Sequence, residues 1–255
     1  MAVMRIASLG SGSRGNGTLV EGPDGCVLVD CGFSVRETER RLRALGLSPD
    51  DLTAILVTHE HDDHLSGVMP LARRHRLPVF MTAGTARAAQ PGASDDVRLL
   101  GSGERRMIAG MNVEAVAVPH DAREPVQYIF AAAGRHFGVL TDLGSVTPHV
   151  VERYRRCHGL LIEANHDRSL LATGPYPPSL KRRVGGAWGH LSNCQTAQLL
   201  QMLGDGPLRT LVVGHVSQQN NSLAHVQEAL APATERVEQV YYADQHTGLG
   251  WLSLN

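Results

Sequence analysis

The segment Thr58–His64 constrains this chain more than any other, because it concentrates metal-ligand residue types at the end of an apolar run. The preceding run, Leu52–Val57, has the length and composition of a buried strand. In an extended continuation of that strand, residues two positions apart project to the same side. A turn into a helix then brings the next pair towards a second position nearby. The ligand candidates are His59, His61, Asp63 and His64.

These side chains indicate the kind of metal that would bind. Imidazole nitrogen and carboxylate oxygen suit borderline and hard divalent ions, and the segment lacks the cysteines of a structural thiolate site. Such a cluster would build a hydrolytic site from two ions about 3.5–4 Å apart that share a water. The alternative is a polar loop with chance histidines, which does not account for the position of the cluster directly after a strand.

Composition is typical of globular proteins. The chain has 255 residues, of which 42% are hydrophobic and 19% charged, enough for one large domain or two small halves. No apolar run approaches the ~18–20 residues that a bilayer-spanning helix needs. The N-terminal residues lack the pattern of a signal peptide. We therefore expect a cytoplasmic protein without a membrane partner.

The charge pattern argues against a generally basic surface. The formal net charge is −1, whereas a constitutive nucleic-acid binder usually carries a strong positive balance. The basic residues are uneven, because all but one of the 24 are arginine. The single lysine is Lys181, in the segment Ser179–Arg183. This bias indicates a specific role for an ammonium group there.

Apolar runs, turn residues and helix-end signals predict strands and helices in alternation. We expect strands at 4–9, 18–20, 26–30, 52–57, 78–81, 113–118, 126–131, 136–140, 159–162, 210–213, 237–243 and 250–254. We expect helices at 34–46, 65–75, 83–90, 148–156, 195–203 and 222–230. Residues 91–110 show little periodicity, and Gly10–Gly17 is either a phosphate cradle of backbone N–H groups or a hairpin. This order predicts two sheets packed face to face with helices outside.

Further ligand candidates follow other apolar strands. His120 lies just after the strand at 113–118, Asp142 just after that at 136–140, and His215 just after that at 210–213. The ends of several strands can converge at one rim of a sheet. Together with Thr58–His64, these residues supply enough ligands for two ions, including a carboxylate able to bridge them.

The same residues resemble a known family. Thr58–His64 matches the T-H-x-H-x-D-H signature of the metallo-β-lactamase superfamily. Ser8–Ser13, Glu163–His166 and Gly189–Asn193 are similar to segments of the small YycJ/WalJ-like metallo-hydrolases, and the last two also to those of tRNA 3′-processing endonucleases. The resemblance covers essentially the full chain. It implies an α/β (α+β) protein with a four-layer αββα sandwich of the metallo-β-lactamase fold, in a single domain over residues 1–255.

The resemblance also implies how the ligands divide between two divalent ions. One ion is expected to bind His59, His61, His120 and Asp142, and the other to bind Asp63, His64, Asp142 and His215. Nitrogen and oxygen ligands leave zinc and manganese as open alternatives.

The expected nucleophile is a hydroxide between the two ions, because metals lower the pKa of bound water towards neutrality. Asp63 would hold this hydroxide by a hydrogen bond, and His190 would assist the leaving oxygen. The substrate-binding candidates are Lys181 and Arg182, which would position phosphates, together with Ser11, Asn16 and Asn220.

We therefore expect a dinuclear metal-dependent hydrolase, a phosphodiesterase or exonuclease-like nuclease whose partner is nucleic acid or another phosphodiester substrate. One alternative is a thioester or other acyl hydrolase, and another is a regulatory scaffold that binds metals without turnover. The sequence leaves open DNA or RNA as substrate, the position of cleavage, and whether the chain forms a homodimer.

Overall fold

The computed structural model describes residues 4–254. The strands are β1 Met4–Gly10, β2 Gly17–Gly22, β3 Gly25–Val29, β4 Leu52–Leu56, β5 Val79–Met81, β6 Val97–Leu99, β7 Arg105–Ile108, β8 Met111–Ala117, β9 Val126–Ala132, β10 Arg135–Leu140, β11 Gly159–Glu163, β12 Thr210–Gly214, β13 Gln239–Tyr242 and β14 Leu249–Leu254. The helices are α1 Val35–Ala44, α2 Asp62–Leu65, α3 Val68–His75, α4 Ala83–Ala89, α5 Pro148–Tyr154, α6 Arg168–Thr173, α7 Pro178–Val184, α8 Asn193–Leu203 and α9 Leu223–Thr234, with a short 3₁₀ helix at Pro49–Asp51.

The strands form two seven-stranded sheets, which confirms the predicted α/β class with two sheets. Their orders are β14-β1-β2-β3-β4-β5-β6 and β13-β12-β11-β10-β9-β8-β7. By its contacts the chain divides into two compact units. The first unit comprises the chain up to Ala117, Ala122–Arg135 and the chain from Ala243 onward, and the second comprises Val118–Asp121 and His136–Tyr242.

In the first unit, antiparallel strands give way to parallel ones. Strand β1 pairs antiparallel with β14 and β2, and β2 pairs antiparallel with β3. From β3 to β6 the pairing is parallel, with helices in the connections. The carboxyl ends of β3 and β4 therefore lie at the same edge of the sheet.

Local signals explain the helices of this unit. The Ser34 hydroxyl accepts a hydrogen bond from the N–H of Glu37 and so caps α1. Leu42 on α1, Ile55 on β4 and Leu71 on α3 are fully buried in one core. Burial of each such side chain contributes roughly 1.5–3 kcal/mol, which holds these helices in place.

The second unit is built on four parallel strands, β10 to β13. Every residue of β11 and of β12 is buried, as expected for strands of a parallel sheet covered on both faces. Helix α5 begins with Pro148 at its first position and with the Thr147 hydroxyl accepting from Val150 N–H. Because β10, β11 and β12 are parallel, their carboxyl ends and the residues that follow them lie at the same edge of the sheet.

Three expectations need correction. Residues 91–110 contain β6 and β7, which are short edge strands with exposed charged residues and therefore weak periodicity. The helix expected at 65–75 is instead two helices, α2 and α3, because the Gly67 N–H donates to Cys31 O at 2.8 Å rather than to the carbonyl four residues before it. The segment Ser179–Arg183, where no helix was expected, lies in helix α7.

Among the described residues, no helix combines the length and the apolar composition needed to cross a membrane.

Candidate metal centre

The first histidine cluster consists of His59, His61, Asp63 and His64, all in the first unit. His59 and His61 follow β4, and the other two lie on α2. His59 and His64 are buried, with ring centroids 4.3 Å apart. The Nε2 atom of His59 is 3.0 Å from the Nδ1 atom of His61. The structure therefore brings together the four ligand candidates of Thr58–His64.

A buried carboxylate, Asp30, orders this cluster. Its oxygens accept from the Thr58 N–H and from the Thr58 hydroxyl, each at 2.8 Å, and Oδ2 lies 2.8 Å from His64 Nδ1. Because an ionised carboxylate only accepts, His64 donates from Nδ1 and its Nε2 carries the lone pair. The Thr58 hydroxyl is likewise 2.9 Å from His59 Nδ1. Since that hydroxyl gives its own proton to Asp30, it accepts from His59, whose Nε2 also becomes the ligand nitrogen.

The turn between β1 and β2 contacts the same cluster. The Asn16 amide donates to the Asp63 carbonyl and carboxylate, each at 3.2 Å, and lies 3.0 Å from His64 Nε2. Its oxygen accepts from Gly12 N–H at 2.8 Å, and Ser11 N–H donates to Asp244 O. These donors are used inside the protein, so the turn is a hairpin rather than a phosphate cradle. A direct contact of Ser11 or Asn16 with substrate stays a prediction.

Strand β9 supports the first cluster from a neighbouring position. The buried Tyr128 hydroxyl donates to Val57 O at 2.7 Å, and Val126 N–H donates to Thr58 O at 3.0 Å. Burial raises the pKa of Tyr128 well above its ordinary value, so the hydroxyl remains a donor. The backbone that leads into the histidines is thereby fixed.

The second histidine cluster consists of His120, Asp142, His190 and His215, all in the second unit. The two carboxylate oxygens of Asp142 face different histidines. Oδ1 lies 3.9 Å from His120 Nε2 and 3.6 Å from His190 Nδ1, whereas Oδ2 lies 3.2 Å from His215 Nδ1. A carboxylate in this position can contribute one oxygen to each of two ions.

Three strand ends share an unusual backbone conformation. Asp30 after β3, Asp142 after β10 and His215 after β12 have φ angles of 61°, 54° and 50°. Residues with a Cβ rarely adopt this left-handed region, which costs of order 1–3 kcal/mol. Such backbone strain is concentrated at functional sites, and here it turns each side chain at the end of a parallel strand.

Glu163, at the end of β11, orders the second cluster. Its side chain is fully buried and accepts from Leu143 N–H and from Leu191 N–H. His190 Nδ1 lies 2.9 Å from its other oxygen. His120 is fixed separately, since its Nδ1 lies 3.0 Å from Gly189 O, a carbonyl that only accepts. His120 therefore presents Nε2 as the ligand nitrogen.

The donor set of the second unit fits a divalent ion. His120, Asp142 and His190 each offer one ligand atom, and these three atoms lie within 4.8 Å of one another. Two imidazoles and one carboxylate are ligands that zinc and manganese accept. The contact of His120 with the Gly189 carbonyl is typical of ligand histidines.

The remaining substrate-binding candidates lie in the second unit. Lys181 and Arg182 are on α7, where Lys181 Nζ donates to Ala172 O at 2.6 Å and Arg182 is exposed. The Asn220 side chain is fully buried, and its amide has no hydrogen-bond partner among residues 4–254. Substrate contact by these three residues stays a prediction.

Sequence reasoning assigned no role to Asp30 or Glu163, although both orient ligand candidates. Their position was visible in the sequence, because Asp30 directly follows the apolar strand β3 and Glu163 ends the apolar strand β11. That is the same rule that found His120, Asp142 and His215.

Comparison with known proteins identifies the family of this chain. The family model described as "Beta-lactamase superfamily domain" matches residues 26–216. The exodeoxyribonuclease WalJ of Streptococcus pneumoniae serotype 2 is 34% identical over 231 residues, which cover 87% of this chain and 86% of that protein. The exodeoxyribonuclease YycJ of Bacillus anthracis is 32% identical over 224 residues, or 86% of this chain and 84% of that protein.

A solved structure supports the fold. Human tRNase Z, short form, superposes with a TM-score of 0.68 at 18% identity, covering 98% of this chain and 99% of that one. The superfamily match covers most of the chain, and the two curated relatives exceed 30% identity over nearly all of it. The chain therefore belongs to the metallo-β-lactamase superfamily, in the group of WalJ and YycJ.

Proposed function

We propose that this protein is a metal-dependent nuclease that removes nucleotides from the end of a DNA strand. The observation that carries the proposal is the second histidine cluster, in which His120, His190 and His215 surround the carboxylate of Asp142. The activity named for two relatives of nearly the same length supports DNA as the substrate.

Two divalent ions, zinc or manganese, are part of the proposal. We assign His59, His61, His120 and Asp142 to one ion and Asp63, His64, Asp142 and His215 to the other. When bound, the ions supply a nucleophile at neutral pH and stabilise charge on the attacked phosphate.

The protein residues have distinct tasks in this proposal. Asp30 holds His64 and, through Thr58, His59 in the tautomer that ligates through Nε2. Asp63 accepts a hydrogen bond from the attacking water and orients it. The contact between its Nδ1 atom and Glu163 holds His190 in place. In this position His190 can donate a proton to the leaving oxygen.

Substrate phosphates would meet the basic helix α7. Arg182 is exposed there, and its guanidinium can form a bidentate hydrogen bond with a phosphate. Lys181 supplies a second cation beside it, and Ser11, Asn16 and Asn220 complete the proposed set. We further propose a single hydrolase domain over residues 1–255 that acts in the cytoplasm, with a homodimer as the candidate assembly.

One purified preparation tests the reaction class. We expect hydrolysis of bis-p-nitrophenyl phosphate and of a single-stranded DNA oligonucleotide, both abolished by a chelator and restored by zinc or manganese. A thioester substrate should not be cleaved. Thioester turnover without phosphodiester turnover would identify an acyl hydrolase, and the absence of both would favour a regulatory scaffold.

A further inference from the structure

We propose that the indole of Trp188 is a stacking surface for an unpaired terminal base of single-stranded DNA. This inference rests on the proposed nuclease function and adds the form of the nucleic acid and a residue that reads it. Trp188 lies in the turn between α7 and His190 and is 63% exposed.

The second tryptophan provides a contrast. The Trp251 indole N–H donates to Leu45 O at 3.0 Å, and the Arg5 guanidinium lies over its ring at 4.6 Å. Those contacts give Trp251 a structural role within the first unit. Trp188, by comparison, presents most of its surface to solvent.

The backbone that carries Trp188 is held firmly. His190 N–H donates to Val184 O at 2.8 Å, which closes the turn. A Cβ on Gly144 would lie 2.4 Å from Ala187 O and 2.5 Å from Trp188 Cα, so the loop after Asp142 packs directly against the turn. An exposed aromatic ring on a fixed backbone loses little conformational entropy when a ligand binds.

The turn also places the backbone of Trp188 next to residues of the proposed active site. The carbonyl of the next residue, Gly189, accepts from His120 Nδ1 at 3.0 Å. His190 follows, with its Nδ1 2.9 Å from Glu163 and 3.6 Å from Asp142. The Cα atoms of Trp188 and His190 are two residues apart and so at most about 7.6 Å from each other. In the proposal, a base stacked on Trp188 therefore belongs to a nucleotide near the cleaved bond.

The surrounding residues favour nucleic acid over a protein partner. Between residues 182 and 190 the other exposed residues are Arg182, Arg183, Gly185 and Ala187, which offer no second large apolar side chain. The core of a protein–protein interface is instead more apolar and groups several aromatic or other apolar side chains. Surfaces that bind single-stranded nucleic acid combine exposed aromatic rings with nearby cationic side chains. The Arg183 guanidinium is bound to Asp121, whereas Arg182 projects from the exposed face of α7.

Fluorescence can report stacking directly. In a Trp251→Phe variant, Trp188 is the one remaining tryptophan, and its emission is recorded during titration with an oligodeoxynucleotide whose phosphorothioate linkages resist cleavage. We expect quenching by this oligonucleotide and none by an abasic strand with the same backbone. Equal quenching by both strands would overturn the inference, because phosphate contact alone would then account for the signal.

Kinetics provide a second readout. Trp188→Ala should raise KM for single-stranded DNA about tenfold, the scale of losing one stacked base, with kcat and metal content unchanged. Trp188→Phe should recover most of this loss. Met202→Ala, which removes another exposed apolar side chain from α8, is the matched control and should behave like the parent.

The outcomes separate the two proposals. Unchanged KM in Trp188→Ala, with the parent cleaving DNA, would refute the stacking role and leave the nuclease intact. Loss of kcat or metal in Trp188→Ala would show that the residue only maintains the turn, which also refutes stacking. A parent that binds with base-dependent quenching but cleaves no phosphodiester would instead refute the nuclease proposal.

Discussion

In the first histidine cluster all four ligand candidates lie within six consecutive residues, whereas in the second cluster they come from four separate places in the chain. His59 to His64 occupy one loop and the short helix α2. His120, Asp142, His190 and His215 follow different strands or lie in a turn. The first cluster is therefore set mainly by local backbone geometry, and the second depends on where the separate strands β8, β10 and β12 end.

Despite this difference, both clusters use one buried carboxylate in the same way. Asp30 connects Thr58 to His64 in the first unit, and Glu163 connects Leu143, Leu191 and His190 in the second. Each ends a strand and bonds to backbone N–H groups as well as to a histidine. In both clusters a histidine of the candidate site is thus held by a carboxylate at the end of a strand.

The largest expected effect comes from removing the Asp30 carboxylate, which orders the first histidine cluster. Asp30→Ala would leave the Thr58 donors and His64 Nδ1 buried without their acceptor. We expect a loss of about 3–5 kcal/mol in the free energy of unfolding of the metal-free protein, measured by urea denaturation.

Asp96→Ala is the control for that measurement. Asp96 pairs with Arg98 while both side chains are more than half exposed, so its removal should cost at most about 1 kcal/mol. Equal losses in the two variants would mean that the first cluster does not depend on Asp30.

A smaller effect should distinguish the roles of two histidines in the second histidine cluster, His215 and His190. His215 follows β12 with a left-handed backbone, so it is fixed by the sheet as a ligand requires. His215→Ala should lose part of the metal and at least about 100-fold in activity. His190→Ala should keep both metals and slow substrates with poor leaving groups most, since activated leaving groups need little protonation.

Metal analysis of both variants, together with rates for a series of aryl phosphodiesters, makes this comparison. His190 also lies close enough to Asp142 to act as a ligand. If the two variants lose metal equally, His190 is a ligand and its proposed role at the leaving oxygen is wrong.

The smallest expected effect concerns acid stability. His64 has Asp30 beside its Nδ1, whereas the buried His166 Nδ1 has no hydrogen-bond partner among residues 4–254. Burial lowers the pKa of His166 from 6.5 to about 4. Between these values the unfolded chain binds a proton that the folded chain does not, so stability falls as the pH decreases through this window.

Between pH 7 and pH 5 the free energy of unfolding should decrease in both proteins. We expect the decrease to be about 2 kcal/mol smaller in His166→Gln than in the parent. Urea denaturation of the metal-free proteins at both pH values measures the difference. Parallel pH profiles would indicate that another group dominates the acid response.

The fold and most of the candidate site could be predicted because their signals are local. The apolar run ending at Val57 and the ligands after it identify a strand, its end and a metal cluster in one stretch. Strand ends likewise located His120, Asp142 and His215. These inferences need only the period of a strand and the rule that parallel strands end at one edge.

The rest depended on contacts between distant residues. Strands β6 and β7 have too few apolar positions to stand out, and α7 follows a Pro-rich stretch that reads as a loop. Nothing local distinguishes Asp30 from other aspartates at strand ends, because its role appears only when β3 lies beside β4. The role proposed for Trp188 could not be predicted either, because the local sequence does not show that its ring is exposed.

The central claim is that the two histidine clusters bind two divalent ions and that both ions are needed to cleave DNA. The most direct measurement titrates metal-free protein with zinc or manganese while bound metal and cleavage of a single-stranded oligonucleotide are followed together. The account predicts two equivalents of bound metal per chain, with cleavage appearing as the second equivalent binds. Full cleavage with one equivalent bound, or with none, would contradict it.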